Sequence, residues 1–546
     1  MNSIEVVLAM LLAVASSGYL VRMLPFSLPL PLAQIALGAL IAGVLKQGVT
    51  LDPNIFFLLL LPPLLFLDGW RIPKNGLLRD KGTILELALG LVIFTMVGVG
   101  LLIHWLIPTM PLAVAFALAA IVSPTDPVAV SSITARVPMP KRLLHILEGE
   151  SLLNDATGLV CFRFAVAAAI TGTFSLASAS MMFLWLALGG LGVGVLVTLA
   201  VSFTQRTLSR RFGQELGSPI LISLLIPFGA YLLAERVGAS GILAAVSAGV
   251  TMSYVELSGR LLATTRIQRA AVWNTVQFSL NGIMFVLLGE QLPASLLGAL
   301  TSVEQSGHRN PWWLLVYTVA INVGLAVIRF IWVWVSLRMN LLKARHRGEA
   351  TQSPPWRLVV ATSLAGVRGA ITLAGVMTLP LLMPDGTPFP ARDLTVFLAT
   401  AVIMVSLVAA SLGLPPLLKG LELPPETLEA QEESRARHAA ANAAIAAVEK
   451  SQHDLLETAT PSDVDIYTDA ATRVIALYKE WLKKEDSNDE QATLLRKAEG
   501  AEKKLRIAAL QAERTAISDL ARHYRISDEV SRKLLREIDL MEVRYR

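Results

Sequence analysis

At 546 residues, 54% hydrophobic against 16% charged, with a mean hydropathy of +0.58, the chain falls outside the ordinary soluble class and points to a polytopic membrane protein. The net charge of +5 hides a break near residue 420: 27 Lys/Arg face 17 Asp/Glu before it, and 20 face 25 after it. The basic balance therefore belongs to the apolar part and to its loops, which argues against a nucleic-acid partner, and the single cysteine, Cys161, excludes an intrachain disulfide.

Apolar runs near 4–23, 28–47, 55–70, 83–107, 111–133, 143–170, 178–203, 218–235, 240–255, 273–292, 312–336, 357–383 and 392–416 predict thirteen membrane helices. The first is read as a retained span, since it has no basic leader or small-residue cleavage site. The third and ninth are short, so a count of twelve stays open. The loops arbitrate. With the N-terminus outside, nineteen Lys/Arg fall on the inner loops and four on the outer ones, the asymmetry of the positive-inside rule. Thirteen spans put residues 421–546 in the cytoplasm.

Two spans break their own pattern. The fifth holds "AIVSPTDPVAVSS", where Pro124 and Pro127 bracket Thr125 and Asp126. Each proline removes a backbone donor and clashes with the preceding turn, so the helix should unwind there. Unwound backbone is tolerated at membrane depth when it is packed in protein or lines a wet cavity. The freed carbonyls, with Thr125 and Asp126, are hard oxygen ligands suited to a small cation. The twelfth span holds "SLAGVRGAITLAG", with Gly366 and Gly369 flanking Arg368. Interrupted helices in corresponding positions of two halves point to a transporter site. Their spacing fits a repeat of spans 1–6 and 8–13 around a connecting seventh.

The sixth span, "HILEGESLLNDATGLVCFR", carries Glu148, Glu150, Asp155 and Arg163. A charge near the bilayer centre costs at least about 2.5–3.5 kcal/mol, so such groups mark function. Ser151 and Asp155 are i, i+4 neighbours, and Glu150 and Asn154 form a second such pair on the adjoining stripe. Asp155 is the candidate alternating carboxylate, since an acid withdrawn from water can titrate near working pH. Asn154 either supplies a neutral oxygen or pins the broken helix. Glu150 needs a counter-charge, and Arg329 in "GLAVIRFIWVW" is the candidate. The sixth span is thus expected to face a cavity shared with Asp126, Arg329 and Arg368. Asp68 closes the third span, as a lining of the cytoplasmic funnel or an interfacial residue. Glu148 is read as an entrance group. Arg163 reaches toward solvent or pairs locally. Glu86, His104 and Glu290 are expected to snorkel from span ends.

After Pro424 and Pro425 the chain turns Ala-, Glu-, Lys- and Arg-rich, reading as helices near 426–450, 462–484, 488–523 and 527–541. Ser462 with Asp465, and Ser527 before Asp528 and Glu529, look like helix starts. Val474, Leu477, Tyr478 and Trp481 form one apolar stripe. The tail shows no phosphate loop, metal cluster or nucleotide fingerprint.

The motifs "PLPLAQIALGALIAG", "LLPPLLFLDGW", "SPTDPVAV", "EGESLLNDATGLV", "GILAAVSAG", "LNGIMFVLLGEQL" and "GVRGAITLAG" run in order over residues 29–375. By these the chain resembles bacterial sodium/proton antiporters of the first monovalent cation:proton antiporter family, the NhaP-like proteins related to animal sodium/proton exchangers. The resemblance implies an all-α membrane domain over residues 1–420, with inverted repeats and two discontinuous crossing helices, and a small helical cytoplasmic domain over 421–546. It implies a homodimer in a bacterial inner membrane, with core spans near 83–170 and 312–416 moving against dimerisation spans near 4–70 and 178–292. It implies Na+ or H+ at Asp155, an ion site built with Ser151, Thr125, Asp126 and Asn154, a Glu150–Arg329 bridge, and an Arg368 that offsets charge and helix ends. The Asn154–Asp155 pair, in place of two aspartates, implies electroneutral exchange without a cofactor. Asp68 departs from the Glu of many relatives. A K+/H+ antiporter is the main alternative. A cation channel would not need a titrating carboxylate. An intramembrane protease built on Ser240 would need a histidine within reach, and no later span holds one.

Overall fold

The structure is a computed structural model that describes residues 2–24, 28–45, 53–72, 74, 81–126, 130, 133, 139, 141–172, 176–213, 217–256, 263–305, 310, 312–346, 355–419, 427–457, 463–485, 489–523 and 525–545. The chain forms two compact units, Met1–Leu421 and Glu422–Arg546.

Among the described residues the first unit is helical, with no strand beyond an isolated bridge between Leu382 and Pro388. Its elements are α1 (Asn2–Met23), α2 (Leu30–Leu45), α3 (Pro53–Arg71), α5 (Leu112–Val122), α6 (Lys141–Thr171), α7 (Leu176–Phe212), α8 (Gly217–Arg236), α9 (Gly241–Glu256), α10 (Ala263–Gln305), α11 (Trp312–His346) and α13 (Arg392–Leu418). Between α3 and α5, the segments Lys81–Leu85, Glu86–Leu91 and Val92–Leu106 form one rod, α4, with a π-helical turn where it packs on α6. Between α11 and α13 stand two half-helices, α12a (Trp356–Leu364) and α12b (Ala370–Met377). Every expected span thus meets a helix or a helix fragment. Seven of the described helices are long and apolar enough to cross a bilayer.

Helices overrun their apolar runs where good helix formers continue into the interface. The run at 273–292 lies inside α10, which extends to Gln305. This corrects one expectation: Glu290 is not at a span end and does not snorkel, because more than three turns of helix follow it and its side chain is buried.

Without a hydrophobic drive between helices in lipid, close packing depends on small residues. A Cβ on Gly38 of α2 would lie 1.9 Å from the Val286 carbonyl oxygen of α10, and one on Gly289 of α10 would lie 1.9 Å from that of Ile35 in α2. The same reciprocal bite joins α3 and α9, through Gly69 against Val246 and Gly249 against Phe66. These contacts interlock α2 with α10 and α3 with α9. Ser240 has a structural task, since its Oγ accepts from Leu243 N at 3.3 Å at the start of α9.

The second unit comprises two helical hairpins, α14 (Thr427–Glu457) with α15 (Val464–Glu485), and α16 (Asp489–Arg522) with α17 (Asp528–Tyr545). Ser527 Oγ caps α17 by accepting from Val530 N at 3.3 Å. The Ser462 cap and the Trp481 side chain lie outside the described residues. Val474 lines a groove of about 320 Å³ between α14 and α15, while Leu477 is 61% exposed, so the expected stripe is only partly covered.

Candidate functional site

α5 ends at Val122 and the backbone runs unwound through Thr125 and Asp126; Pro127 lies outside the described residues. α12a ends at Leu364 and α12b starts at Ala370, with residues 366–369 non-helical between them and Gly369 extended. The two breaks hold each other: Asp126 N donates to the Val367 carbonyl oxygen at 2.7 Å. Backbone groups freed by one interruption are satisfied by the other, as the lack of water in a bilayer core demands.

Arg368 closes the crossing. Its Nε donates to the Val122 carbonyl oxygen at 2.9 Å, and Nη1 donates to that of Gly366, so a cation sits at the C-terminal ends of both α5 and α12a. Ser406 of α13 accepts from the Arg368 backbone N–H at 3.1 Å. Glycine is required on either side because the neighbours fill its space. A Cβ on Gly369 would lie 1.8 Å from Asp126 Oδ2, and one on Gly366 would lie 2.7 Å from Arg329 Cδ.

α6 passes beside this crossing as an unbroken helix. Glu150 is 0% exposed and Arg329 of α11 is 2% exposed. Arg329 grips both carboxylate oxygens, Nη1 to Oε1 at 2.6 Å and Nη2 to Oε2 at 2.9 Å. Thr125 Oγ1 donates to Glu150 Oε1 at 3.3 Å and accepts from Asn154 Nδ2 at 3.0 Å. The chain Asn154–Thr125–Glu150–Arg329 therefore ties the broken α5 to α6 and α11. Asn154 Oδ1 is buried without a protein partner.

Beside that network lies a cavity of about 30 Å³, lined among others by Asp68, Thr125, Asp126, Ser151 and Asp155. It is large enough for one or two water-sized occupants. Asp155 and Ser151 reach it from one face of α6, Thr125 and Asp126 from the α5 break, Gly369 and Thr372 from the α12 break, and Asp68 from α3. Asp155 and Ser151 are 5% and 4% exposed. Asn154, Glu150, Arg329 and Arg368 do not line this cavity; they stand behind its wall. The shared cavity expected for α6 is thus made with Asp126 but not with the two arginines.

A second cavity of about 460 Å³ adjoins the first, sharing Asp68, Ser151, Gln277 and Asn281 with it. Glu148 lines only this larger one, together with Arg71 at the end of α3. Arg163, two turns beyond Asp155 on α6, pairs at 3.4 Å with Glu235 at the end of α8. The smaller cavity therefore adjoins the space lined by Glu148 near the start of α6, while Arg163 is tied to α8 toward the other end of that helix.

Sequence reasoning missed Gln277 and Asn281 of α10. The signal was present: Asn274, Gln277 and Asn281 recur at i, i+3 and i+7 in an apolar helix.

The chain matches the family described as "Sodium/hydrogen exchanger, transmembrane" over residues 8–420. It is 40% identical to an uncharacterized Na(+)/H(+) exchanger, YjcE, of Escherichia coli strain K12, over 98% of this chain and 97% of the relative. It is 39% identical to a sodium, potassium, lithium and rubidium/H(+) antiporter of Bacillus subtilis strain 168, over 100% of this chain and 78% of that one. Its fold resembles that of the sodium proton antiporter MjNhaP1 from Methanocaldococcus jannaschii, with a TM-score of 0.59 at 17% identity, covering 77% of this chain and 99% of that one. Crossed helix breaks beside a buried carboxylate, a sequence match across the whole membrane unit and the shared fold lead to one assignment: the chain belongs to the sodium/hydrogen exchanger family, whose members are multi-pass membrane transporters and not enzymes.

Proposed function

We propose that the chain exchanges Na+ for H+ across a bacterial inner membrane, electroneutrally, by competition of the two ions for Asp155. The observation that carries this reading is the position of Asp155, nearly buried in a small cavity with Thr125, Asp126 and Ser151 at the crossing of two broken helices. In this mechanism Asp155 is protonated or holds the cation, never both. Hydroxyl oxygens of Ser151 and Thr125 replace part of the hydration shell. Asn154 supports the site through Thr125 and carries no charge through the cycle. Glu150 and Arg329 neutralise each other, so their pair contributes a fixed geometry and no net transported charge. The ions are cargo, and no cofactor is assigned.

The sidedness comes from the basic loops. Arg71 and the start of α6 belong to the inner side by that count, so the 460 Å³ cavity lined by Asp68 and Glu148 opens toward the cytoplasm. The state described here is then inward-open, and the reverse state requires α6 and the crossing to move relative to α3 and α10. The interlocked pairs α2–α10 and α3–α9 support a division into a dimerisation scaffold, spans near 4–70 and 178–292, and a mobile core, spans near 83–170 and 312–416. A homodimer through that scaffold is part of the proposal.

A K+/H+ antiporter is the second reading, favoured by the cation range in the name of the Bacillus subtilis relative. Cation-induced proton flux, reported by a pH dye in proteoliposomes given Na+, Li+, K+ or Rb+ separately, separates the two. Saturable proton release by Na+ at the lowest concentration supports the first reading, and a clear preference for K+ replaces it with the second. No response to any of them removes both.

A further inference from the structure

The mouth of the larger cavity contains a group that a cation route does not explain. Arg71 lines it beside Asp68 and Glu148, and a fixed positive charge there opposes an incoming cation. The guanidinium is spent on two neutral amides of α10: Nη1 donates to Gln277 Oε1 at 2.6 Å, and Nη2 donates to Asn274 Oδ1. A guanidinium has donors only, so each amide turns its oxygen to the arginine and keeps its NH2 for its other surroundings. Asn274 is exposed and lines the larger cavity. Gln277 also lines the smaller one, where Asp68, Asp126 and Asp155 converge.

We propose that Arg71 holds Gln277 as a hydrogen-bond donor toward the carboxylates of the ion cavity, which makes Gln277 a specificity-determining residue that competes with the arriving cation. The proposal rests on the reading of Asp155 as the carrier. An amide NH2 left to line the same cavity as Asp68, Asp126 and Asp155 is a donor available to a carboxylate that holds neither cation nor proton, and either ion has to compete with it. Turned the other way, the same amide would offer a neutral oxygen and add a ligand for the cation. Arg71 withholds that ligand. The result is weaker cation binding than the oxygen set alone would give, and easier release into the larger cavity. Arg71 then acts through Gln277 as a positioning residue, not as a charge at the entrance.

The test uses the full chain in proteoliposomes, measuring KM for Na+ and K+ and the pH at which protons halve Na+ exchange. Gln277→Met keeps the volume and removes the donor. It should lower the Na+ KM roughly tenfold, the scale of one hydrogen bond to a charged group, and, at Na+ well below KM, move the half-inhibition pH upward, because proton binding is freed of the same competitor. Arg71→Met lets the amide turn and should lower the KM in the parental background, yet do nothing further in the Gln277→Met background. Asn274→Leu removes one of the two amides that hold the same arginine, so it should shift KM in the direction of Arg71→Met, by less, and not at all in the Gln277→Met background. An unchanged or raised KM in Gln277→Met overturns the proposal. So does an Arg71→Met effect of equal size in both backgrounds, which would make the arginine a plain entrance charge. If Arg71→Met fails to assemble, Gln277→Met and the dependence of the Asn274→Leu effect on Gln277 decide alone. Asp155→Asn vesicles run alongside keep the two readings apart: exchange persisting there contradicts the carrier, whereas silence there with a parental Gln277→Met contradicts only the donor.

Discussion

Glu150 and Asp155 sit five residues apart on one helix and are held in opposite ways. Both oxygens of Glu150 are taken by Arg329, and a third bond comes from Thr125, whereas Asp155 lines the cavity. Removing one partner of a buried ion pair costs about 3–5 kcal/mol, since the other charge is stranded. Glu150→Gln should therefore lower the melting temperature in detergent by several degrees more than Asp155→Asn, as read by intrinsic fluorescence on heating. Equal shifts would mean that the Arg329 pair does not hold α6 to α11. Exchanging the partners, Glu150→Arg with Arg329→Glu, should recover part of the loss, limited by the unequal reach of the two side chains. At this scale the sequence was legible where charges interrupt an apolar run, singly as with Arg329 and Arg368 or in company as with Asp155. For Gln277 and Asn281 the signal was weaker, a stripe with Asn274 at helical spacing, because an amide in a membrane helix costs less than a charge and hides among packing residues. The sequence could not show that Asn154 stands behind the cavity wall, a matter of which face α6 turns to α5.

The two helix breaks were readable because proline and glycine have local consequences. Pro124 and the Gly366–Gly369 pair weaken their helices locally, and the helices end beside them, whereas Pro62, Pro227 and Pro293 stay inside continuous helices. That the breaks touch was not readable, since it depends on how α5 and α12 cross. The bond from Asp126 N to the Val367 oxygen is the product of that crossing. Gly369 gives the element its tightest requirement, with Asp126 Oδ2 where a Cβ would be. Gly369→Ala should displace Asp126 and raise the Na+ KM by roughly tenfold or more, given overpacking costs of about 1–3 kcal/mol. Gly43→Ala, with open space around it, is the control and should leave KM unchanged. A parental KM in Gly369→Ala would show that Asp126 is not held against α12b in the working protein.

For the whole molecule, the topology we propose from the alternation of basic loops has the unit Glu422–Arg546 on the cytoplasmic side. A reporter fused after residue 546 should be active only inside; activity confined to the periplasm would invert the proposed direction of the larger cavity. With one carrier alternating between Na+ and H+, equal charges move in opposite directions, so an imposed membrane potential should neither speed nor reverse exchange. A clear dependence would require a second moving charge, with Asp68 and Asp126 as the carboxylates in the same cavity. The most direct measurement is proton flux driven by a Na+ gradient in proteoliposomes containing Asp155→Asn, at matched protein incorporation. That substitution keeps the volume and removes the titratable charge from a cavity-lining residue. The account predicts a folded protein with exchange reduced to the level of empty liposomes. Exchange at a substantial fraction of the parental rate would contradict it.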